Sequence, residues 1–546
     1  MTTEIDTASK KPVSLQHASQ EAARSSSSPL PLDPNNAADN SRFDPSGAHI
    51  CDNPKLRVPQ VEGFRAACSH FSESNDPAII QLPVGCGKSG LAGLLSLGLS
   101  TKRTLIVAPN TTIRRELFKE LSSKSPTNFW SKTDVINKIA DRPRVTLIDG
   151  PAATMDDCSR SDIIVTNIQQ LVSSSKLWLY QFPSGFFDLI IFDEAHHTAA
   201  DSWQKVIRDN STARIVSLTA TPFRTDGKPL HGEVIYRYSV ANAMIKGYIS
   251  QIDSASAQPS KITFTLRDER REFDLEEILE FREKAWFRRG VALSDECNRN
   301  IASKAVEKMY ELREATGYPH QIIAAAMSIH HASRICEIFE DLGVTAEFIH
   351  HKLPAEDKKS VLDRLHDHSI DAVVQVAMLG EGFDHPPLGV AAIFRPYRSL
   401  SPYIQFIGRV MRTVDRKNAF GPDNRAFLVS HTGLNNEEQW GDFGLFDSDD
   451  QAVVRKLLYG KEARVDGTGT GTSDGEVVGP IAEDEDVSHF DAETFLDPSD
   501  DKVIEAMLDT AGPGGISYRD LGVTAEQLRA QLLHLRRRQE PPPAQV

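Results

Sequence analysis

The chain has 546 residues, of which 40% are hydrophobic and 25% are charged, so it has the composition of a folded protein but exceeds the length that one hydrophobic core usually organises. Its formal net charge of −15 comes from residues 437–501, which hold 19 acidic and 4 basic residues, whereas the rest of the chain holds 57 of each sign. No apolar run approaches the roughly 18 residues of a membrane helix, and no secretory signal is visible. The six cysteines stand singly without a C-x-x-C pair, which argues against a zinc or iron–sulfur site and favours a reducing cytoplasm.

The amino-acid composition of the chain changes near residue 53. Residues 1–52 are rich in Ser, Asp, Asn, Ala and Pro, a composition that buries little apolar surface and predicts a disordered tail. Residues 53–228 alternate apolar strands with amphipathic helices, which is typical of a parallel sheet covered on both faces. We therefore expect an α/β domain over this range.

A glycine-rich turn over residues 83–89 follows the apolar run 78–82 and precedes a segment that is predicted to be a helix. This order directs several backbone N–H groups and the positive end of a helix dipole to one place, where a triphosphate can bind. Lys88 is placed to contact the β- and γ-phosphates, and Ser89 is placed to bind Mg²⁺. The strict pattern G-x-x-x-x-G-K-[ST] is not met, because Leu82 occupies its first glycine position, and a plain glycine turn is the alternative interpretation.

An acidic pair follows a buried strand that is predicted over residues 187–192. In a triphosphate site, a carboxylate at the end of a neighbouring strand holds the metal ion. Asp193 is placed to do this, and Glu194 is placed to orient and deprotonate an attacking water. His196 could couple this site to a neighbouring domain. A solvated acidic turn after a strand is the alternative interpretation.

The remainder of the chain divides into four parts. Residues 229–310 are predicted to connect two domains, and we expect the charged run 267–272 to lie on the solvated face of a helix. A second α/β domain is predicted over residues 311–432. An acidic flexible region, 433–501, and a small helical segment, 502–546, follow it.

Six further short motifs occur along the chain. They are Leu56 to Gln60, Thr104 to Asn110, Asn167 to Gln169, Ser217 to Pro222, Leu379 to Asp384 and Gln405 to Arg412. With these motifs the chain resembles a DEAD/DEAH-box ATPase of helicase superfamily two over roughly residues 53–432. The resemblance implies an α/β fold with two tandem RecA-like, doubly wound parallel-sheet domains and an ATP cleft between them. It also implies a nucleic-acid-dependent ATP hydrolase that uses ATP and Mg²⁺.

The resemblance also implies a role for individual residues. The residues implied to bind ATP are Gln60, Pro83, Val84, Gly85, Cys86, Gly87, Lys88, Ser89 and Asp384, with Gln60 at the adenine and Asp384 at the ribose. Ser89 and Asp193 are implied to hold Mg²⁺, partly through water. The residues implied to couple ATP to nucleic acid are His196, Thr219, Thr221 and Gln405. The residues implied to contact nucleic acid are Pro109, Asn110, Asn167 and Gln169.

Arg409 and Arg412 are predicted to project from one face of a helix into the cleft, because they are three residues apart. A guanidinium against the γ-phosphoryl group in the transition state raises the hydrolysis rate by roughly a thousandfold or more. When the second domain supplies this group, hydrolysis depends on domain closure. Catalysis is thus predicted to need both arginines together with Lys88 and Glu194. A solvated stripe on a helix is the alternative interpretation.

DNA is favoured over RNA as the nucleic acid. Residues 375–386 and 405–412 resemble the branch of restriction-enzyme ATPase subunits and DNA-repair translocases more than they resemble RNA-dedicated DEAD-box proteins. No nuclease motif is evident, so a protein partner would have to supply cleavage or targeting. A motor that moves along or separates DNA and a nucleic-acid-gated ATPase switch of a repair, restriction or defence complex both remain open. The acidic region is compatible with a solubilising linker and with an autoinhibitory mimic of a nucleic-acid strand.

Overall fold

The computed structural model describes residues 48–172, 178–195, 201–221, 230–259, 261–266, 269–376, 385–415, 418–446, 482–483, 490–494, 501–509, 519 and 523–530. The predicted roles of His196 and Asp384, and the predicted disorder before residue 48, lie outside these described residues. Within them, no helix has the length and apolar character that crossing a bilayer requires.

Among the described residues, the first large sheet has seven strands, all parallel, in the spatial order β3-β4-β2-β5-β6-β1-β7. In chain order they are β1 (Ala78–Gln81), β2 (Thr104–Ala108), β3 (Val145–Leu147), β4 (Ile163–Asn167), β5 (Leu189–Asp193), β6 (Arg214–Thr219) and β7 (Glu233–Arg237). The helices of this part are α1 (Val58–Glu73), α2 (Lys88–Leu99), α3 (Thr111–Leu121), α4 (Phe129–Thr133), α5 (Met155–Ser159), α6 (Ile168–Val172), α7 (Trp178–Gln181) and α8 (Asp201–Asp209).

The later strands are β8 (Gln251–Ala257), β9 (Lys261–Leu266), β10 (Glu269–Asp274), β11 (Gln321–Ala325), β12 (Ala346–His350), β13 (Ala372–Val376), β14 (Leu388–Ile393), β15 (Arg425–His431), β16 (Ala482–Glu483) and β17 (Phe490–Thr494). The later helices are α9 (Val240–Ile245), α10 (Leu275–Phe281), α11 (Ala285–Leu293), α12 (Asp295–Thr316), α13 (Ile329–Asp341), α14 (Ala355–His366), α15 (Leu400–Ile407), α16 (Glu437–Phe446) and α17 (Asp501–Asp509). The second large sheet has the described order β12-β13-β11-β14-β15-β8-β17, in which only β17 runs antiparallel.

Both large sheets are covered on both faces, as the burial of alternate residues shows. Along β2, Leu105 and Val107 pack into one hydrophobic cluster, while Ile106 and Ala108 pack into another on the opposite face. Along β11, the pair Ile322 and Ala324 and the pair Ile323 and Ala325 likewise enter different clusters. Because successive side chains of a strand point to opposite faces, each sheet has a core on either side. The predicted α/β fold of two doubly wound parallel sheets is therefore confirmed.

The prediction of a helix face was wrong for residues 269–272, while residues 267 and 268 lie outside the described residues. Strand β10 pairs antiparallel with β9, with Arg271 opposite Phe264 and Phe273 opposite Ile262. Ile262 and Phe273 are buried, whereas Arg271 is exposed. This period of two is the pattern of a half-buried strand, and the dense charges of the segment concealed it.

The sheets also draw on segments outside the predicted domain limits. Within the predicted connector 229–310, β7 joins the first sheet and β8 joins the second. Within the predicted acidic flexible region 433–501, α16 buries Trp440 and Phe443, and β17 pairs with β8 from Asp253 to Ala257. The domain limits themselves stay a prediction.

Candidate functional site

The glycine-rich turn over residues 83–89, which is called the phosphate loop after its predicted role, joins β1 to α2 at the carboxyl edge of the first sheet. Gly85 and Gly87 have φ angles of +90° and +89°, in the region that favours glycine. A Cβ atom at Gly87 would lie 2.6 Å from Nε2 of Gln60, so this position needs glycine for space as well. Helix α2 begins at Lys88 without a side-chain cap. Since the first N–H groups of a helix have no partner within it, α2 directs its N–H groups toward the loop.

The structure brings Lys88 and Glu194 together at this loop. Their Nζ and Oε1 atoms are 3.0 Å apart, and the two side chains are only 10% and 11% exposed. Lys88 also donates a hydrogen bond to the carbonyl of Leu82 at 3.5 Å. Glu194 has a φ of +50°, a conformation that costs about 1 kcal/mol or more for a residue with a side chain and has to be held by its surroundings.

Asp193 is the last residue of β5 and is 4% exposed. Strand β6 lies between β5 and β1, and its last residue, Thr219, accepts a hydrogen bond from the N–H of Leu82 at 2.9 Å. The acidic pair, the end of β6 and the phosphate loop therefore share one edge of the sheet, as parallel strands require.

Gln60 lies beside the loop, buried near the start of α1. Its Nε2 donates to the carbonyl of Gly87 at 3.0 Å, and its Oε1 accepts from the N–H of Arg57 at 3.0 Å. The guanidinium of Arg57 donates to the carbonyl of Gly85 and lies over the ring of Tyr248, 5.2 Å from the ring centroid. Arg57, which lies inside the motif Leu56 to Gln60, and Tyr248 were assigned no role from the sequence. The position of Arg57 directly before a proline-started helix was the available signal for the first, and nothing local marked the second.

The two arginines of the second domain do not lie on a helix, so that prediction was wrong. Helix α15 ends at Ile407, and the N–H groups of Arg409 and Val410 bond to carbonyls three residues back, which tightens the chain into a turn. Arg409 is 3% exposed. Arg412 follows in a segment that is neither helix nor strand.

The stretch from Gly408 to Arg412, which we call the arginine segment, lies against the phosphate loop of the first domain. A Cβ atom at Gly408 would be 3.2 Å from Cβ of Val84, so the two backbones approach closely. A Cβ atom at Gly85 would be 3.7 Å from Nη1 of Arg412. The structure therefore places a guanidinium of the second domain beside the loop.

A series of hydrogen bonds links the end of β6 to helix α15. The Oγ1 of Thr219 donates to the carbonyl of Thr221 at 2.7 Å, and the Oγ1 of Thr221 lies 3.3 Å from the Oγ of Ser401. Ser401 in turn accepts from Nε2 of Gln405 at 3.4 Å. Three of the predicted coupling residues thus meet through Ser401, which the sequence analysis missed.

The predicted nucleic-acid contacts lie at the carboxyl ends of β2 and β4, where Pro109 is buried. Asn110 caps α3 by accepting from the N–H of Ile113 at 3.0 Å. Asn167 donates to Gln169 at 2.6 Å and accepts from Nη1 of Arg114 at 2.8 Å. The structure thus brings Asn167 and Gln169 into contact.

Arg114 is a further polar residue at this edge, and it is 1% exposed. Its Nη2 bonds to Asp149 at 2.6 Å, and Arg115 bonds to the other oxygen of that carboxylate at 3.0 Å. Hydrogen bonds from Arg115 and the nearby charge of Arg114 lower the pKa of Asp149. An arginine on the buried stripe that Ile113 and Leu117 form on α3 was the signal that could have revealed Arg114.

Two family models match the chain. The model for the type III restriction enzyme res subunit matches residues 53–224, and the model for the helicase conserved C-terminal domain matches residues 304–414. The first match includes β1 to β6 and the second includes β11 to β14. The protein therefore belongs to the ATP-hydrolysing helicases of superfamily two. Within that class, it resembles the branch of restriction-enzyme ATPase subunits and DNA-repair translocases.

Relatives cover much of the chain at low identity. A helicase-named protein of Sulfolobus islandicus filamentous virus is 25% identical over 379 residues, which are 67% of this chain and 63% of that protein. The DNA 3'-5' translocase XPB2 of Sulfurisphaera tokodaii is 25% identical over 393 residues, which are 67% of this chain and 81% of that protein. A solved structure of the ATP-dependent type ISP restriction-modification enzyme LlaBIII bound to DNA has 16% identity and a TM-score of 0.45, covering 69% of this chain and 28% of that one.

Proposed function

We propose that this helicase couples the hydrolysis of Mg²⁺-bound ATP to closure of its two α/β domains on DNA, and that it moves along or separates the strands. The observation that carries the proposal is the position of the arginine segment. Gly408 and Arg412 of the second domain lie against Val84 and Gly85 of the phosphate loop. A guanidinium at this place can stabilise the charge that develops on the γ-phosphoryl group.

The roles at the ATP site follow from the chemistry of its side chains. Ser89 and Asp193 would hold Mg²⁺, because a hydroxyl and a carboxylate are the oxygen donors that this ion prefers. Bound Mg²⁺ supplies positive charge to the β- and γ-phosphates. Lys88 contacts the same phosphates, and Glu194 orients and deprotonates the water. Arg409 and Arg412 complete the site on closure.

The remaining ATP contacts keep their predicted roles in the proposal. The backbone from Pro83 to Gly87, including Cys86, surrounds the phosphates. Gln60 contacts the adenine through the part of its amide that the protein bonds leave available, since an amide has two N–H donors and two acceptor sites. Thr219, Thr221 and Gln405 couple the state of the ATP site to the grip on nucleic acid.

DNA is proposed as the nucleic acid because the named function of XPB2 and the res-subunit model both concern DNA enzymes. The proposed contacts are Pro109, Asn110, Asn167 and Gln169, at the open carboxyl edge of the first sheet. Asn110 and Asn167 use side-chain oxygens within the protein. The amide N–H groups of Asn110, the second N–H of the Asn167 amide and the nearby backbone would contact phosphates, which position a strand without reading its sequence.

The second candidate function is a DNA-gated ATPase switch within a larger complex, without strand separation. The observation that favours it is the description of the matching family model, which is a subunit of a multi-subunit enzyme. A protein partner would then supply cleavage or targeting.

Strand displacement measured beside triplex displacement distinguishes these functions. A helicase separates a duplex, a translocase displaces only the third strand of a triplex, and a switch does neither while DNA still stimulates its ATPase. Each assay is run with and without Mg²⁺, and the Lys88→Ala variant is the inactive control. Stimulation by RNA but not by DNA would contradict the proposal.

A further inference from the structure

The chain passes from the first large sheet to the second through a short segment, Gly247 to Ser250, between α9 and β8. Gly247 has a φ of +65°, and a Cβ atom there would lie 2.9 Å from Cβ of Ala419, so glycine is required. Ile249 is fully buried, and Ser250 is 2% exposed. A segment this short and this buried is held in place by its neighbours and does not act as a loose tether.

On one side, the segment contacts the nucleotide-binding elements of the first domain. The hydroxyl of Tyr248 accepts a hydrogen bond from the N–H of Val58 at 3.1 Å, and its ring packs under the guanidinium of Arg57. A Cβ atom at Gly85 would lie 3.0 Å from Cγ2 of Ile249. The segment therefore touches both the start of α1, which carries Gln60, and the phosphate loop.

On the other side, Ser250 binds the backbone of the arginine segment at two points. Its N–H donates to the carbonyl of Met411 at 2.9 Å, and its Oγ donates to the carbonyl of Arg412 at 2.9 Å. These carbonyls follow the turn that ends α15. Ser250 therefore fixes the course of the chain at Arg412, whose guanidinium lies beside Gly85 of the phosphate loop.

We propose that Ser250 is a positioning residue for ATP hydrolysis, which holds the backbone of Arg412 in register with the phosphate loop. This inference rests on the proposed role of Arg412 in the transition state. The physical reason is the distance between the guanidinium and the γ-phosphoryl group. The guanidinium stabilises the transition state only at close range, and the position of the Arg412 backbone limits where its side chain can reach.

Removing the hydroxyl tests the proposal. Ser250→Ala keeps the N–H bond to Met411 but loses the bond to Arg412, so we expect kcat to fall about tenfold while the ATP dissociation constant changes by less than about twofold. Ser250→Thr retains a hydroxyl and should restore most of the rate. Ser254→Ala is the matched control, because Ser254 lies on β8, is 9% exposed and pairs with Leu428 of β15 and Glu493 of β17. Thermal unfolding of each variant verifies the fold.

A double-mutant cycle with Arg412→Ala separates positioning from a general structural role. If Ser250 acts through Arg412, Ser250→Ala should add no further loss of kcat to the Arg412→Ala variant. An equal loss in both backgrounds, or a normal kcat in Ser250→Ala beside a slow Arg412→Ala, would overturn the role of Ser250 alone. A normal kcat in Arg412→Ala would instead overturn the proposed role of the arginine.

Discussion

At the scale of single residues, the buried pair of Lys88 and Glu194 joins the phosphate loop to the acidic end of β5. Removing charges from water costs several kcal/mol per ion, so a buried pair is maintained only when its geometry is good. The 3.0 Å contact meets that condition. Phosphate oxygens of bound ATP would compete for the same ammonium group, and Glu194 would then be available to orient water.

Two variants test these roles. Lys88→Ala should abolish measurable ATP binding, because the group that contacts the phosphates is lost. Glu194→Gln should bind ATP within about threefold of the native affinity but hydrolyse it at least about a hundredfold more slowly, since only the water-activating carboxylate is lost. Nucleotide titration and steady-state ATPase rates measure both effects. Glu120→Gln, which changes the exposed pair with Lys132, is the control, and normal turnover in Glu194→Gln would contradict the assignment.

The burial of Arg114 indicates that this residue has a structural role. It bridges Asp149 and Asn167 with almost no exposed surface. A guanidinium presents several donors in a fixed plane, so it can hold an amide oxygen and a carboxylate at once. We expect it to hold Asn167 in the orientation that a DNA strand would meet.

The corresponding prediction compares two neighbouring arginines. Arg114→Met should lower the free energy of unfolding by about 3 kcal/mol and raise the DNA concentration needed for half-maximal ATPase stimulation. Arg115→Ala removes a side chain that is 60% exposed and should change stability by less than about 1 kcal/mol. Denaturant titration and DNA-stimulated ATPase rates give both quantities. Equal behaviour of the two variants would show that Arg114 has no special role.

At the scale of secondary-structure elements, helix α13 carries a buried histidine near its N-terminus. Ser328 caps this helix, and His331 is 3% exposed with Nδ1 accepting from the N–H of Met327 at 3.2 Å. Burial lowers the pKa of His331 from 6.5 to about 4. The folded protein therefore keeps this ring neutral at a pH where the unfolded chain protonates it, so stability falls as the pH falls from about 6.5 towards 4.

This histidine should make the protein sensitive to mild acid. Between pH 7 and pH 5 it should remove about 2 kcal/mol from the free energy of unfolding. In His331→Gln that part of the pH dependence should disappear, although the variant is less stable at pH 7. His330→Gln, which changes the exposed neighbour, should retain it. Urea titrations at pH 5 and pH 7 measure the free energy of unfolding of each protein. An unchanged pH dependence in His331→Gln would exclude this residue as the cause.

At the scale of the whole molecule, the region that carries the net charge is partly built into the fold. Helix α16 buries Trp440 and Phe443, and β17 covers the edge of β8. Deleting everything after residue 432 would therefore expose core surface and an unpaired strand edge, so the deletion would test stability and not charge.

Neutralising charges tests the acidic region more directly. Exchanging six of its acidic residues for amides should tighten DNA binding at low salt if the region competes with DNA for the positive charges of the two α/β domains. They are Asp447, Asp449, Asp450, Asp484, Glu485 and Asp486. The gain should shrink as salt increases, because the screening length falls to about 8 Å near physiological ionic strength. The DNA dissociation constants of both proteins over a salt series measure this gain. Coincident curves for the native and neutralised proteins would show that the region is only a linker.

Local sequence was sufficient for the parts of this protein whose structure depends on near neighbours. Gly85 and Gly87 indicate the phosphate loop in the sequence, because glycine is the residue that readily adopts positive φ. Strands buried on both faces read as short apolar runs, so β1, β2 and β5 could be located with the motifs at their ends. The placing of Lys88 and Glu194 at one site followed from motif order, because the carboxyl ends of parallel strands meet at one edge of a sheet, whereas their direct contact is seen only in the structure.

Only the tertiary structure decided features that depend on residues far apart in the chain. Arg409 and Arg412 were predicted to lie on one face of a helix, but α15 ends before them, and Ser250, 162 residues earlier in the chain than Arg412, binds the carbonyls of Met411 and Arg412. Arg114 was assigned no role from the sequence, and its bonds to Asp149 and Asn167 appear only in the fold. In each case the deciding hydrogen bond is formed by a distant partner whose position the fold sets, so no local pattern could contain it.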